Sequence, residues 1–179
     1  MKKAVFLDRD GTLIEEVNFL STAEETSLFP FTIEALKILQ EAGFIFFVTT
    51  NQSGIARGYF GAAAVKEIHE KIQNELRESG LKIESFQYCP HFPDDGCSCR
   101  KPNTGMIEQV TRKFDIDLGK SWTIGDKKLD VGMGFNAGTY TALVSTGYGA
   151  KHKATLKQQP DIIAENLLEA ANLIVEFKK

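Results

Sequence analysis

The stretch VFLDRDGTL, residues 5–13, decides the fold. Its apolar run predicts a short buried strand at residues 4–7, which ends abruptly in Asp8, Arg9 and Asp10. Because successive side chains of a strand alternate, Asp8 and Asp10 are expected to face one site while Arg9 points away. Gly11 then allows the backbone to turn closely there. The stretch thus predicts two carboxylates side by side at the end of a buried strand.

Strand and helix patterns alternate from this stretch to the end of the chain. The sequence predicts strands at 4–7, 44–49, 82–88, 121–124 and 139–144, helices at 32–42, 61–79, 104–114, 128–137 and 166–177, and loops at 90–103 and 145–160. Such alternation is typical of an α/β fold with a Rossmann-like, mostly parallel sheet and helices on both faces. We expect a single domain over residues 1–179 without a large inserted cap.

Bulk composition limits the possible partners. The chain has 179 residues, 42% of them hydrophobic, and a formal net charge of −3. This charge gives no indication of nucleic-acid binding, which usually comes with a surplus of basic residues. No apolar run is long enough for a signal core or a membrane span. We therefore expect a cytoplasmic protein that is monomeric and has neither nucleic-acid nor membrane partners.

Polar clusters follow three of the predicted strands. They are Asp8 with Asp10, the run 50–53, and Asp126 with Asp130. In open α/β sheets, ligands bind outside the carboxyl ends of the strands. One such cluster alone would be ordinary loop polarity or helix capping. Three clusters at one edge of the sheet predict a binding site.

The chemistry of these clusters suits phosphate transfer on a divalent cation. Mg²⁺ prefers oxygen ligands, which the carboxylates of Asp8 and Asp126 and the backbone carbonyl of Asp10 would supply. A carboxylate such as Asp8 is also a nucleophile toward phosphorus, and Asp10 would act as general acid and base. The transferred phosphoryl group needs donors and positive charge, which Thr50 and Lys101 offer.

A second metal site is predicted between residues 89 and 99. Cys89, His91, Cys97 and Cys99 lie within eleven positions, and they include all three cysteines of the chain. Three cysteines and one histidine suit tetrahedral zinc. Four protein ligands predict a closed, structural site that folds its loop and holds Arg100 over the pocket.

Together these motifs resemble the haloacid dehalogenase superfamily of phosphotransferases. DRDGT at 8–12 is similar to its first motif, VTTN at 48–51 to its second, Lys101 to its third and GDKKLD at 125–130 to its fourth. The resemblance implies Asp8 as nucleophile, Asp10 as general acid and base, Thr50 and Lys101 on the phosphoryl group, Asp126 on magnesium and Asp130 in a supporting role.

The zinc loop CPHFPDDGCSCRKP, residues 89–102, resembles one branch of that superfamily, which contains phosphatases of heptose 1,7-bisphosphate and of histidinol phosphate. TNQSGIARGYF at 50–60 and Lys127 are more similar to the heptose enzymes, whereas the short loop between His91 and Cys97 is familiar from the histidinol enzymes. The resemblance implies a sugar-phosphate substrate. It implies substrate contacts from Glu16, Asn18, Phe19, Asn51, Gln52, Ser53, Arg100 and Lys127.

Other readings remain open for a few features. A zinc-stabilised module that binds phosphorylated ligands without turnover is the rival from another class, although binding alone would not require Asp10. Arg57 contacts substrate or caps its turn, with neither favoured. His69 is expected to be a solvated or packed side chain and Trp122 a core residue.

Overall fold

The computed structural model describes residues 1–178 and contains one six-stranded sheet. Its strands are β1 (Lys3–Leu7), β2 (Phe44–Asn51), β3 (Ile83–Cys89), β4 (Trp122–Gly125), β5 (Tyr140–Val144) and β6 (Ile162–Ala164). Its helices are α1 (Thr32–Glu41), α2 (Ala62–Glu78), α3 (Gly105–Thr111), α4 (Lys128–Ala137), α5 (Gly149–Lys153) and α6 (Leu167–Glu176), with a 3₁₀ turn at Leu118–Lys120. The strand order is β3-β2-β1-β4-β5-β6, and every neighbouring pair is parallel.

Strand β1 lies at the centre of the sheet because its apolar residues are covered on both faces. Residues 4–7 are completely buried. Phe6 pairs with Phe47 of β2 on one side and with Thr123 of β4 on the other. A continuous apolar run is the usual pattern of a parallel strand between two helical layers.

The helices divide between the two faces of the sheet. The larger core, on one face, is formed with side chains of α1, α2 and α6, and the smaller core, on the other, with α3 and α4. Each long helix presents an apolar stripe, such as Ile68, Ile72 and Leu76 of α2, to the sheet. Trp122 is buried in the larger core, as expected.

The predicted α/β architecture is confirmed, and the sheet proves parallel throughout. Two short elements were missed: α5 lies within the predicted loop 145–160, and β6 precedes the last helix. Five and three residues are too few to show a helical or strand period. The helix predicted at 104–114 ends at Thr111.

The topology places a crevice beside the end of β1. The strands after β1 are added first on one side of it, as β2 and β3, and then on its other side, as β4, β5 and β6. The strand order therefore reverses at β1. Ligand sites of open α/β sheets lie at such switch points. None of the helices within residues 1–178 is long and apolar enough to cross a membrane.

Candidate active site and metal sites

Asp8 is fixed at the end of β1 by backbone and side-chain contacts. Its amide donates to the carbonyl of Ile124, 2.9 Å away, which extends the pairing of β1 with β4 by one residue. Its Oδ1 accepts hydrogen bonds from Lys101 Nζ (2.9 Å) and from the Arg9 amide (2.8 Å). Burial raises the pKa of Asp8, but Lys101 and Lys127 outweigh this effect and leave the pKa below its ordinary value. Asp8 is therefore a buried, ionised carboxylate.

Lys101 connects three parts of the site. Its ammonium donates to Asp8 Oδ1, to Asp130 Oδ1 (2.5 Å) and to the carbonyl of Thr49 (2.9 Å). Burial lowers the pKa of Lys101, but the charges of Asp130 and Asp8 raise it by more, so the net shift is upward. A buried ammonium with three acceptors stays charged. The sequence placed Lys101 on the reacting phosphoryl group, and the structure places it beside the proposed nucleophile.

Asp126 carries a buried oxygen without a hydrogen-bond partner. Its Oδ2 accepts from the Tyr148 amide at 2.7 Å, whereas its Oδ1 has no hydrogen-bond donor and lies 3.3 Å from the ammonium of Lys127. Burial and then the nearby charge of Asp8 raise the pKa of Asp126 to about 8. Gly11, at φ +80°, packs so closely that a Cβ there would lie 2.5 Å from the Asp126 carboxylate. The backbone turn predicted at this glycine therefore closes onto Asp126.

These residues fit a divalent cation. Oxygen atoms of Asp8, Asp126 and Asp130 lie within 4.8 Å of one another, all on buried residues. Both oxygens of Asp130 are already engaged, Oδ1 by Lys101 and Oδ2 by the Lys127 amide at 2.9 Å. The Oδ1 of Asp126, which accepts no hydrogen bond, and the Oδ2 of Asp8 remain for a metal. A hard cation that takes a few carboxylates would neutralise this cluster.

Asp10 is held by donors from three directions. Arg9 donates to it from Nε (3.2 and 3.1 Å) and from an Nη atom (2.9 Å). Gln52 Nε2 donates to its Oδ2 at 2.9 Å, and Thr50 Oγ1 lies 3.4 Å from the same oxygen. The expectation that Arg9 points away from the site is wrong. Its long side chain folds back, and its guanidinium donates to the carboxylate of Asp10.

The cleft beside these carboxylates collects the predicted substrate residues. Its wall contains Glu16, Asn18, Phe19, Asn51, Gln52, Ser53 and Lys127, while Arg100 lies in the adjoining recess with Asp8, Asp10, Thr50 and Lys101. Lys127 pairs with Glu16 at 3.2 Å and lies 3.8 Å from Asp8 Oδ2. Burial lowers the pKa of Lys127, but Asp8 and Asp126 outweigh it and the net shift is upward.

Sequence reasoning missed Tyr148 in the cleft wall. Tyr148 donates its amide to Asp126, and Lys127 Nζ lies 5.1 Å from the centroid of its ring. It lies in a stretch that the sequence predicted as loop and that contains none of the catalytic motifs quoted above. The run STGYG at 145–149, with two glycines near the end of a strand, was the available signal.

The predicted zinc ligands come together in space. Cys89 Sγ lies 3.6 Å from Cys97 Sγ and 3.5 Å from His91 Nδ1, while Cys99 Sγ lies 3.7 Å from Cys97 Sγ and 3.3 Å from His91 Nδ1. Zinc–sulfur bonds of about 2.3 Å and zinc–nitrogen bonds of about 2.0 Å give tetrahedron edges of roughly 3.5–3.8 Å. The sulfur separations are too long for disulfides. The four ligands thus fit a closed tetrahedral zinc site.

Arg57 packs between aromatic rings of two other loops near the cleft. One loop contains Phe19, and the other is the zinc loop, which contains Phe92. The guanidinium of Arg57 lies 5.7 Å from the ring of Phe19 and 5.4 Å from the ring of Phe92. Tyr59 packs edge-on against Phe19. Arg57 also donates its amide to the carbonyl of Ser53, which closes the turn. The Arg57 side chain thus lies beside the rings of Phe19 and Phe92, while its backbone closes the turn, and a substrate contact stays a prediction.

Comparison with known proteins agrees with this geometry. A family model described as HAD-hydrolase-like matches residues 98–170. The chain is 34% identical to a D-glycero-beta-D-manno-heptose-1,7-bisphosphate 7-phosphatase of Pseudomonas aeruginosa, with 98% of this chain and 99% of the relative covered. It is 37% identical to a D-glycero-alpha-D-manno-heptose-1,7-bisphosphate 7-phosphatase of Photorhabdus laumondii, with 96% of each covered.

A solved structure is similar over the same length. The D,D-heptose 1,7-bisphosphate phosphatase of B. bronchiseptica, complexed with magnesium and phosphate, superposes with a TM-score of 0.90 at 34% identity, covering 97% of this chain and 98% of that one. The chain therefore belongs to the haloacid dehalogenase superfamily of hydrolases. Within that class it is a phosphatase, a phosphoric monoester hydrolase, and along its whole length it resembles the heptose-bisphosphate 7-phosphatases.

Proposed function

We propose that this phosphatase removes the 7-phosphate of D-glycero-D-manno-heptose 1,7-bisphosphate, in the synthesis of nucleotide-activated heptose. The observation that carries the proposal is the near-complete coverage of relatives that bear this activity in their names. The cleft supports it, because Lys127 and Arg100 place two cations around the carboxylate site. Two cationic side chains beside the site suit a substrate that carries two phosphate groups.

The reaction proceeds in two steps on the side chains of Asp8 and Asp10, which follow β1. One carboxylate oxygen of Asp8 attacks phosphorus, and Lys101 and the Arg9 amide orient the carboxylate through their hydrogen bonds to Oδ1. The bond from phosphorus to the sugar oxygen breaks, and Asp10 gives that oxygen its proton. In the second step, water attacks the aspartyl-phosphate, its proton goes to Asp10, and Asp8 is released with inorganic phosphate.

The other buried groups stabilise the charge that develops on the phosphoryl oxygens. Thr50 brings its hydroxyl beside Asp10, and Lys101 holds its ammonium against Asp8. Asp130 orients that ammonium and accepts from the Lys127 amide, so its role is to position. Fixed positive charge near a transferring phosphoryl group is the main protein contribution to this chemistry.

Asp8 and Asp126, with the backbone carbonyl of Asp10, would hold Mg²⁺. When bound, the ion supplies a positive charge that offsets repulsion between carboxylates and phosphate. The unpartnered oxygen of Asp126 supports this assignment. So does the magnesium in the similar structure from B. bronchiseptica.

Zinc has a structural role in this proposal. Four protein ligands leave no open coordination position, so Cys89, His91, Cys97 and Cys99 would fix the loop rather than take part in hydrolysis. Arg100 and Lys101 follow the last ligand directly. A folded loop therefore places both cations at the site.

The remaining substrate contacts are proposed from the lining of the cleft. Glu16, Asn18, Phe19, Asn51, Gln52 and Ser53 surround the space that the heptose would occupy. Gln52 also holds Asp10, so it connects sugar recognition to the acid and base. We propose Arg100 and Lys127 for the second phosphate.

The experiment that tests the proposal is phosphate release, with Mg²⁺ present, from both anomers of heptose 1,7-bisphosphate and from histidinol phosphate. A large preference in kcat/KM for a heptose bisphosphate is the expected result. A preference for histidinol phosphate would move the enzyme to histidine synthesis and contradict the substrate proposed here. The catalytic roles of Asp8 and Asp10 would be unaffected by that outcome.

We also propose that the chain acts as a monomeric, single-domain enzyme of the cytoplasm whose partner is a small sugar phosphate. The three cysteines are free thiols grouped as metal ligands, an arrangement that suits a reducing compartment. Size-exclusion chromatography with light scattering tests the monomer, and a dimer mass would contradict it.

A further inference from the structure

A buried path of side chains leads from Asp10 away from the cleft. The guanidinium of Arg9 is fully buried and donates hydrogen bonds from Nε and Nη2 to the Asp10 carboxylate. The other end of the guanidinium, Nη1, lies 3.4 Å from Nε2 of His69 on α2. A buried charge requires partners on each side that faces the protein. The mechanism uses Asp10 but leaves Arg9 and His69 without a function.

His69 is held in place by aromatic neighbours. Its ring, 8% exposed, stacks on Phe86 with centroids 4.6 Å apart and 21° between the planes, and Tyr88 approaches it edge-on. Arginine can only donate hydrogen bonds, so Nε2 of His69 must accept, and the neutral ring carries its proton on Nδ1. Burial and then Arg9 lower the pKa of His69 to about 3, which agrees with a neutral ring.

The two oxygens of Asp10 share Arg9 but differ in their other partners. Oδ2 accepts from Arg9 Nε (3.1 Å) and from Gln52 just after β2 (2.9 Å), and Thr50 near the end of β2 also approaches it. Oδ1 is held by Arg9 alone among the hydrogen bonds found in residues 1–178. If Nη1 lost its acceptor, the guanidinium could rotate, and Oδ1 would lose its fixed direction. A misdirected carboxyl group transfers protons poorly.

We propose that His69 is a positioning residue for proton transfer, acting through Arg9 to orient the carboxyl group of Asp10 toward the leaving oxygen. This inference rests on the proposed function only in giving Asp10 the role of general acid. It extends the site by two residues, one of them on a helix behind the cleft. It also explains why an arginine stands between the two aspartates of DRDGT in this chain.

The test uses the leaving group to separate positioning from general structural support. An alkyl phosphate such as heptose 1,7-bisphosphate or histidinol phosphate needs a proton on its leaving oxygen, whereas p-nitrophenolate departs from p-nitrophenyl phosphate without one. The constant kcat/KM reports steps up to the loss of that leaving group. If the carboxyl group of Asp10 is misdirected, kcat/KM should fall for the alkyl phosphate and not for p-nitrophenyl phosphate. The alkyl phosphate used is the one of the two that the wild-type enzyme hydrolyses faster.

The informative variants are His69→Phe and His69→Gln. Phenylalanine retains the stack on Phe86 but removes the acceptor, and we expect kcat/KM for the alkyl phosphate to fall about tenfold, with less than about a twofold change for p-nitrophenyl phosphate. Glutamine offers a carbonyl oxygen to Nη1 and is expected to keep kcat/KM for both substrates within about threefold of wild type. The matched control Phe86→Leu weakens the packing beneath the ring and is expected to change both substrates equally.

A second measurement reads the contact without turnover. The ¹⁵N NMR spectrum of His69 in the intact enzyme is expected to show a protonated Nδ1 and an unprotonated Nε2. Equal losses on both substrates in His69→Phe, failure of glutamine to restore activity, or a proton on Nε2 would each overturn the proposal. If wild type hydrolysed neither alkyl phosphate, the proposed function would fail, and the NMR result would still decide whether His69 accepts from Arg9.

Discussion

The carboxylate site and the zinc loop are neighbours, yet they are held together in opposite ways. Asp8, Lys101, Asp126 and Asp130 come from three separate parts of the chain and are each at most 4% exposed. The zinc ligands lie within eleven consecutive positions, and every residue from 91 to 96 is exposed. The carboxylate site is assembled by the sheet. The zinc loop is assembled by local sequence.

The difference shows where each region obtains its stability. Asp8 and Asp126 directly follow strands whose apolar residues fill the core, and burial strengthens each ion pair of the carboxylate site. The exposed part of the loop has few apolar contacts to offset the entropy of ordering it. A bound zinc would supply that free energy instead, as metals do in other small loop-rich sites. The following predictions test this contrast, beginning with the largest expected effect.

Asp8→Asn is expected to lower kcat by about a thousandfold or more, because an amide oxygen is a poor nucleophile toward phosphorus. The fold should persist, since asparagine has the shape of aspartate and Lys101 keeps Asp130 and the Thr49 carbonyl as acceptors. Phosphate release and the melting temperature measure the two effects. Activity close to wild type would refute the aspartyl-phosphate step.

Cys97→Ala should unfold the loop without unfolding the sheet. We expect loss of bound zinc, a lower melting temperature and a fall of about tenfold in kcat/KM, because Arg100 and Lys101 are no longer held in place. Added Mg²⁺ should not restore activity. Metal analysis, thermal unfolding and kinetics check these outcomes.

Ser98→Ala is the matched control, since Ser98 is an exposed neighbour whose side chain is not among the four ligands. It should keep one zinc per chain and near wild-type kinetics. Freshly purified wild type without zinc, prepared without a chelator, would remove the basis for the contrast between the two regions.

Arg57→Leu should uncouple the two loops at the mouth of the cleft. Loss of the cation between the rings of Phe19 and Phe92 is expected to raise KM about fivefold while kcat stays within about twofold. Arg112→Leu, at an exposed arginine just after α3, controls for loss of a positive charge. A fall in kcat without a change in KM would assign Arg57 to the catalytic step instead.

The smallest effect concerns stability and pH. The pKa of His69 is about 3 in the native state and about 6.5 in the unfolded chain, so the unfolded chain binds more protons between these values. The free energy of unfolding should therefore decrease as pH falls through about 6.5, and at pH 6 it should be about 0.8 kcal/mol below its value at high pH. Urea unfolding of wild type and His69→Gln measures this contribution as the difference between the two curves. Parallel curves would show that His69 does not titrate as the structure indicates.

Much of the site could be predicted because its residues follow strands directly. Asp8, Thr50 and Asp126 stand at the ends of β1, β2 and β4, and parallel strands bring such ends to one edge. The Cys and His residues that the structure brings together were predictable from residue type and spacing alone. The prediction for Arg9 was wrong because strand alternation sets only the direction of the Cα–Cβ bond. The arginine side chain is long enough to turn back and reach Asp10.

The sequence by itself determined the α/β class, the positions of the carboxylates along the chain and the spacing of the four Cys and His residues proposed to bind zinc. These properties are local, since they depend on apolar period, strand ends and short spacing. Only the tertiary structure decided that Lys101 bridges Asp8 and Asp130, that Tyr148 supports Asp126, and that His69 meets Arg9 sixty residues away. Such contacts join distant segments, and packing of helices on the sheet sets their distances.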